Sequence, residues 1–320
     1  MVAPLSNAEI KALEPVYAAQ YDDSFRMYLS EVNDVFSKCT TNLSLENAQD
    51  GYIDYMDDRQ VRMREKLEKF GRTQFTEVPM LQRRYTWREW NIAFPISRRD
   101  YGRFKYDPTN QYVRAGVNAW NREKNAQFLA RFFATFWQRN PNGAEVQVAF
   151  PAANILAHDT HLYDTQTGTT GLTVSKLMAM QNLAEDNQAH GDVFDEYGSQ
   201  YYIACTTRDL NFLKYDIRRQ AKSDLSDKMV MSGDRLLAWG GFKFITHPGI
   251  PVVGANRRLP VWTPDAVGHV KGDTFSQVSL LLPDVEYNGQ VYVEGKIDFL
   301  RLMDQACYGI DCAITPAAGA

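Results

Sequence analysis

Apolar positions in the first forty residues recur at helical spacing. Ile10, Leu13, Tyr17, Tyr21, Phe25, Tyr28, Leu29, Val32 and Phe36 fall mostly three or four apart, the pattern of an amphipathic helix. Ser6 is placed to cap its start, and Pro15 to divide it into two pieces. The spacing predicts a largely helical segment from residue 6 to about residue 37. From Lys38 to Gly51 the chain is mostly polar with little periodicity, so nothing nearby folds back over the stripe. It reads as an arm that packs on something else.

The next stretch is unusual in charge. Asp57 to Asp100 holds eleven Lys or Arg and seven Asp or Glu around few apolar residues, and such a segment does not bury itself easily. Near its end Tyr85 and Trp87 alternate with Arg84, Thr86 and Arg88, a strand-like period of two. One covered and one solvated sheet face explains this interleaving. So does a protein interface, where Trp, Tyr and Arg are enriched, or a platform for single-stranded nucleic acid. Arg83, Arg84, Tyr85, Trp87 and Trp90 are the candidate contact residues, reaching either other subunits or the base of their own loop.

Asp107-Pro108 then predicts a helix start, Asp as cap and Pro in the first helical position. Val113, Val117, Trp120, Phe128, Leu129, Phe132, Phe133, Phe136 and Trp137 form a stripe dense enough for a core, and Asn140-Pro141-Asn142-Gly143 stops it. Some 30 residues at about 1.5 Å each make a spine roughly 45 Å long. The stripe has no heptad register, which argues against a coiled coil.

From about residue 146 the pattern is mixed. Val146 to Phe150 and Tyr201 to Thr206 read as strands, and helices follow Thr173 and run from about Arg208 to Gln220. Arg235 to Thr246 reads as a hairpin about the turn Gly240-Gly241, and the tail as a second hairpin about Asn288-Gly289 with a last strand near Cys307 to Ile314. The fold class is α+β.

Length and composition change this picture little. The chain has 320 residues, 44% hydrophobic and 23% charged, an ordinary globular make-up for one large or two modest domains. No apolar run reaches the roughly 18 to 20 residues that span a bilayer, and the start carries neither a basic nor an apolar leader region, so a soluble, unsecreted protein without membrane contact is expected. The net charge of -4 is too small for tight nucleic-acid binding. Cys39, Cys205, Cys307 and Cys312 include no C-x-x-C pair and read as reduced structural thiols.

Chemistry is sparse. Walker, G-x-G-x-x-G, G-x-S-x-G and H-E-x-x-H motifs are all missing from the sequence. His158-Asp159-x-His161, followed by Asp164, has the donor types of a metal site, but the stretch runs into Thr165-Gln166-Thr167-Gly168, which is loop chemistry. No catalytic, cofactor or metal residue is assigned, and the reading is of a non-enzyme.

The order of these elements resembles the tailed-bacteriophage major capsid proteins of HK-ninety-seven-type fold. The resemblance is carried by the amphipathic arm, by Thr76-Glu77-Val78-Pro79 and Arg83-Arg84-Tyr85, and by Asp107-Pro108-Thr109-Asn110-Gln111-Tyr112 opening a long helix. Gly171-Leu172-Thr173-Val174-Ser175-Lys176-Leu177, Tyr201 to Thr206 with Arg208-Asp209-Leu210, Gly240-Gly241-Phe242-Lys243-Phe244-Ile245 and Pro264-Asp265-Ala266-Val267-Gly268 extend it through the second half. It implies an N-terminal arm over 1–49, an E-loop over 50–98, a peripheral domain from 99–145 and 285–320 with the spine helix, and an axial domain over 146–284.

It also implies a virion protein, assembled in the host cytoplasm, that joins copies of itself in hexamers and pentamers around a phage genome. Portal, scaffold and decoration proteins are its expected partners, with weak, unspecific contact to packaged DNA and no cofactor. Some members of that family link subunits through a Lys to Asn isopeptide bond, for which Lys66 and Lys69 are the loop lysines to consider. Two alternatives stay open at this level. One is a cellular nanocompartment shell of the same fold, the other a metal-dependent hydrolase using His158, His161 and Asp164.

Overall fold

Strands outnumber helices along the chain because short β-branched and aromatic runs are repeatedly cut by Gly, Pro and Asn. The computed structural model describes residues 34–43, 50–56, 80–96, 109–160, 170–187, 201–220, 230–232, 235–271, 275–282 and 288–314. These fall into two compact units.

The smaller unit holds, of the described residues, 89–96, 109–122, 275–282 and 288–295. Strands β15 (Phe275–Leu282) and β16 (Asn288–Arg301) pair antiparallel, Phe275 opposite Glu294 and Ser279 opposite Gln290. Strand β4 (Arg88–Ile96) also pairs with β16. Val291 and Val293 are buried under Ile92, Phe94, Tyr112 and Val113, the last two supplied by helix α1 (Thr109–Phe132). A Cβ on Gly295 would collide with the Trp120 indole at 2.5 Å, so the bare glycine is what seats the helix on the strand.

The larger unit carries the remaining described residues. An eight-stranded sheet runs β7-β17-β13-β8-β11-β10-β9, with β12 added on β13. Its centre is β13 (Asn256–Trp262), antiparallel to β17 (Cys307–Ala313) and to β8 (Tyr201–Cys205), and β8 is parallel to β11 (Phe242–Thr246). Strands β7 (Ile155–Leu156), β9 (Val230–Ser232), β10 (Arg235–Trp239) and β12 (Val252–Val253) complete it. Helix α2 (Val174–Asp186) starts at Thr173, whose hydroxyl accepts from Lys176 N, and Asp216 of α3 (Thr207–Gln220) accepts from Val174 N at 2.8 Å. The β10–β11 hairpin turns on Gly240 (φ 58°) and Gly241 (φ 81°), both in the left-handed region that this tight turn requires.

Beside that sheet, β1 (Thr41–Leu43) lies parallel to β14 (Val267–Lys271), and β14 is antiparallel to the Ile297–Arg301 part of β16. A separate four-stranded sheet runs β2-β3-β5-β6. Its strands are β2 (Asp50–Met56), β3 (Met80–Thr86), β5 (Phe136–Arg139) and β6 (Glu145–Val148).

Four sequence expectations need correction. The spine helix ends at Phe132, not in the Asn-Pro-Asn-Gly stretch, and its 24 residues span about 36 Å. Phe136 and Trp137 belong to β5, and Asn140–Gly143 is the turn into β6, closed by Asn140 N to Ala144 O and Gly143 N to Asn140 O bonds with Gly143 at φ 81°. The physical reason is the run Phe133-Ala134-Thr135-Phe136-Trp137, whose bulky and β-branched side chains favour extended backbone. Arg301 satisfies the carbonyls of Phe132 and Ala134 that this early stop leaves open.

At the arm's end, residues 34–35 are irregular and Ser37–Cys39 is a 3₁₀ turn, so the helical pattern stops short of 37. The polar stretch after it forms β1 and the start of β2, because pairing with β14 and β3 supplies order that periodicity does not announce. Asn288 and Gly289 lie within β16, with Asn288 opposite Leu282, and are not a turn. Residues 6–33, 76–79, 107–108, 161–169 and 285–287, with Lys66, Lys69 and His190, lie outside the described residues. Among the described residues no helix is long and apolar enough to cross a membrane.

Candidate assembly site at the base of the β2–β3 hairpin

Strands β2 and β3 pair from Asp50 opposite Thr86 to Met56 opposite Met80, and β3 continues the sheet through Arg83 opposite Gln138 on β5. Alternation then divides the side chains. On β3 Arg83 and Tyr85 are buried, and Trp87, just beyond its end, joins them, whereas Gln82 and Arg84 point the other way. Tyr85 and Trp87 pack with Ile53, Phe136, Val270, Leu300 and Leu302, their two rings 6.0 Å apart. Gly51 lies directly beneath the Tyr85 ring, where any Cβ would overlap it.

Arg83 enters the same interior as a charge, at 2% exposure. It pairs with Asp304, which also accepts from Arg301 Nε at 2.8 Å. Asp298 receives a two-pronged bond from Arg131, Nε to Oδ1 at 2.9 Å and Nη2 to Oδ2 at 3.0 Å, and backbone bonds from Thr86 N and Phe299 N. Burial pushes the Asp298 carboxyl above its ordinary value, while Arg131 and the two amides pull it back. Arg131 Cζ and Arg301 Cζ lie 4.9 and 4.8 Å from the Phe136 ring centre, so the aromatic ring adds a cation–π contact to each. This node fixes β3, the end of α1 and the end of β16 to one another. Arg83 and Arg301 share Asp304 and Arg131 grips Asp298, although Arg83 Nε and Nη1 and Arg301 Nη2 are buried without a hydrogen-bond partner; the work of these ion pairs is positional.

The opposite face of the sheet is open. Tyr52 donates its hydroxyl to Glu145, Arg139 lies 5.5 Å over the Tyr52 ring, and Arg84 Nη1 stands 3.9 Å from Glu145. Trp137, two residues before Arg139 on β5, is 42% exposed. A Trp, a Tyr and two Arg on one solvated face match the composition of protein interfaces. Of the five sequence candidates, Arg83, Tyr85 and Trp87 stand in the interior and Arg84 on this open face. Trp90 is half-buried in the smaller unit. Sequence reasoning missed Tyr52, Trp137, Arg139 and Glu145. Reading Trp137 as part of a helix stripe hid it, and the Asn142-Gly143 turn signal was what pointed to the strand.

Of the metal-ligand candidates, His158 is described, its carbonyl accepting from Thr170 N at 3.3 Å, while His161 and Asp164 are outside the described residues. Among the described residues no three His, Cys, Asp or Glu side chains gather in a way that suits a metal ion.

Comparison with known proteins bears on this geometry. Among solved structures, the capsid of Ralstonia phage GP4 is similar over 99% of this chain and 100% of its own, with TM-score 0.63 and 10% identity. The capsid of cyanophage P-SCSP1u is similar over 92% and 94%, with TM-score 0.58 and 12% identity. The holo-SrpI encapsulin of Synechococcus elongatus is similar over 98% of both chains, with TM-score 0.59 and 9% identity. These likenesses establish the HK-ninety-seven-type fold. No curated protein matches by sequence. The profile of a family described as phage capsid protein matches residues 13–313. With that match spanning nearly the whole length, the chain belongs to the phage capsid protein family and is a structural, shell-forming subunit.

Proposed function

We propose that copies of this chain join as hexamers and pentamers into a closed icosahedral shell around a phage genome, with no catalytic step of their own. The observation that carries this reading is the two-sided sheet at the hairpin base. One face is locked by buried Arg–Asp pairs, and the other offers Tyr52, Arg84, Trp137 and Arg139 to solvent. A surface held rigid from behind loses little entropy on docking, and heterologous contacts between identical copies close into shells when their rotation closes. In this reading Arg84 and Trp90 reach neighbouring subunits, while Arg83, Tyr85 and Trp87 hold the loop's base.

The division into an arm (1–49), E-loop (50–98), peripheral domain (99–145 with 285–320) and axial domain (146–284) belongs to the same proposal. So do assembly in the host cytoplasm and partnership with portal, scaffold and decoration proteins. Contact with packaged DNA is weak, in keeping with a net charge of -4. Negative-stain microscopy of the purified protein tests the proposal. Closed shells or capsomers support it, and dispersed 36.6 kDa monomers at high protein concentration refute it.

A further inference from the structure

Helix α3 sorts its charges by side. It opens on a reciprocal cap, in which Thr206 N donates to Asp209 Oδ2 at 3.1 Å and Asp209 N donates to Thr206 Oγ1 at 3.3 Å. Asp209 is buried, and its Oδ1 accepts from Arg257 Nη2 at 2.9 Å. Asp216, also buried, accepts from Val174 N at the start of α2. Leu210, Leu213 and Ile217 are buried on the same side. Both carboxylates of the helix are therefore engaged in the interior.

The outward face carries the opposite sign. Arg208, Asn211, Tyr215 and Arg218 are exposed, and at 3.6 residues per turn they fall within about 80° of arc and about 15 Å of length. Their side chains make no ion pair or hydrogen bond with any described residue, and the exposed acids that end α2, Glu185 and Asp186, pair with neither arginine. Tyr215 is 67% exposed, more than any other large apolar or aromatic side chain among the described residues.

This stripe is not an ordinary solvated face. Such faces interleave both signs, so that charges three or four apart support the helix, whereas this one has no acid. Arg208 also stands in the first turn, where the helix dipole disfavours a cation, so its charge does not serve the helix. Arg, Asn and Tyr are all donors of the kind that bind phosphate oxygens.

We propose that this face of α3 binds duplex DNA through its phosphate backbone, without reading sequence. The inference rests on the reading above of a shell around a genome, which supplies the duplex. Each strand of a duplex carries a phosphate about every 3.4 Å of axis, so about 15 Å of helix faces about four phosphates of one strand. Arg208 and Arg218 meet phosphates at the two ends of the stripe, and Asn211 and Tyr215 donate between them. The chain as a whole, at net charge -4, adds no attraction. Contact is weak for one subunit and gains strength by repetition over many.

Fluorescence anisotropy of the full-length protein with two labelled duplexes of unrelated sequence, between about 50 and about 200 mM salt, tests the proposal. The wild type should bind both alike, with affinity falling as salt rises. In the Arg208→Ala, Arg218→Ala double variant the slope of log affinity against log salt should flatten by about 2, and affinity at about 50 mM salt should fall at least roughly tenfold. Circular dichroism checks the fold, and if the alanine pair does not fold, Arg208→Gln with Arg218→Gln is held to the same criteria. Unchanged affinity and slope in a folded variant, or a wild type that binds neither duplex, overturns the proposal. Tighter binding of polyglutamate than of duplex, lost in the same variant, assigns the face to an acidic protein segment and overturns it too. Negative-stain microscopy of the same samples reads the shell separately. Dispersed wild-type monomers count against the shell reading, and the anisotropy still decides the face. A double variant that loses shells together with DNA binding places α3 in a subunit contact and overturns the proposal.

Discussion

Arg131, in the last turn of α1, and Asp298, on β16, form a two-pronged ion pair with bonds of 2.9 and 3.0 Å, and the same carboxylate accepts from Thr86 N where β3 ends. Three elements that carry the hairpin base thus meet at one buried acid. Removing Arg131 leaves the Asp298 carboxylate, 2% exposed, without its counter-ion, and removing Asp298 leaves a largely buried guanidinium without its carboxylate. Asp298→Ala and Arg131→Ala should each cost about 3 to 5 kcal/mol of unfolding free energy. The double variant should cost clearly less than their sum. Urea unfolding of the four proteins measures this, and simple additivity would show that the pair is not coupled.

Trp87 and Arg84 sit three residues apart and should separate stability from assembly. Trp87 is buried among Tyr85, Phe136 and Leu300, so Trp87→Ala should destabilise the isolated subunit by about 3 to 5 kcal/mol. Arg84 is one-third exposed and 3.9 Å from Glu145, a pair worth little by itself. Arg84→Ala should move subunit stability by no more than about 0.5 kcal/mol yet lower the melting temperature of assembled particles. Unchanged particles would remove Arg84 from the proposed interface.

Element type was legible wherever local chemistry and packing agree. Thr173 as a cap and Gly240-Gly241 as a turn are read directly from residue preferences, and both stand as expected. Phe136 and Trp137 were misread because their three- and four-residue steps from Phe132 and Phe133 continue a helix on paper. The run from Phe133 to Trp137 favours extended backbone, and a partner distant in sequence, Arg301, takes the carbonyls of Phe132 and Ala134 that the early stop leaves open. The candidate site follows the same rule. That Arg83 is interior and Arg84 exterior is fixed by the register of β3 on β2 and β5, and two adjacent arginines carry no sign of which will find an aspartate.

The cysteines should react unequally. Cys205, Cys307 and Cys312 are buried, and burial pushes the Cys312 thiol up to about 12 and the Cys307 thiol higher still. Cys39 is only half-buried, although burial raises its thiol as well. Thiolate is the nucleophile in alkylation. Iodoacetamide at about pH 8 should therefore label Cys39 slowly in the native protein and the other three only after unfolding. Intact-mass spectra with and without denaturant count the adducts. More than one adduct on the native protein would contradict the packing of β8 or β17.

Covalent linkage between subunits is the remaining route to a stable shell, and the chain's chemistry argues against it. A lysine nucleophile must be neutral, which requires a desolvated pocket. Lys66 and Lys69 stand in Arg64-Glu65-Lys66-Leu67-Glu68-Lys69, where an acid flanks each amine and favours its protonated form. On the acceptor side, Asn288 opens β16 opposite Leu282, so its place in a strand, and not a turn, is what must be weighed. The backbone of β16 at Gln290 and Val291 is paired with Ser279 and Val278, and no Asn follows Asn288 on β16 or β17. Mature particles boiled in denaturant with reductant should therefore run as one band near 36.6 kDa. A ladder of multiples that disappears in Lys66→Ala or Lys69→Ala would show that the acids leave one amine neutral. Its loss in Asn288→Ala would identify the acceptor.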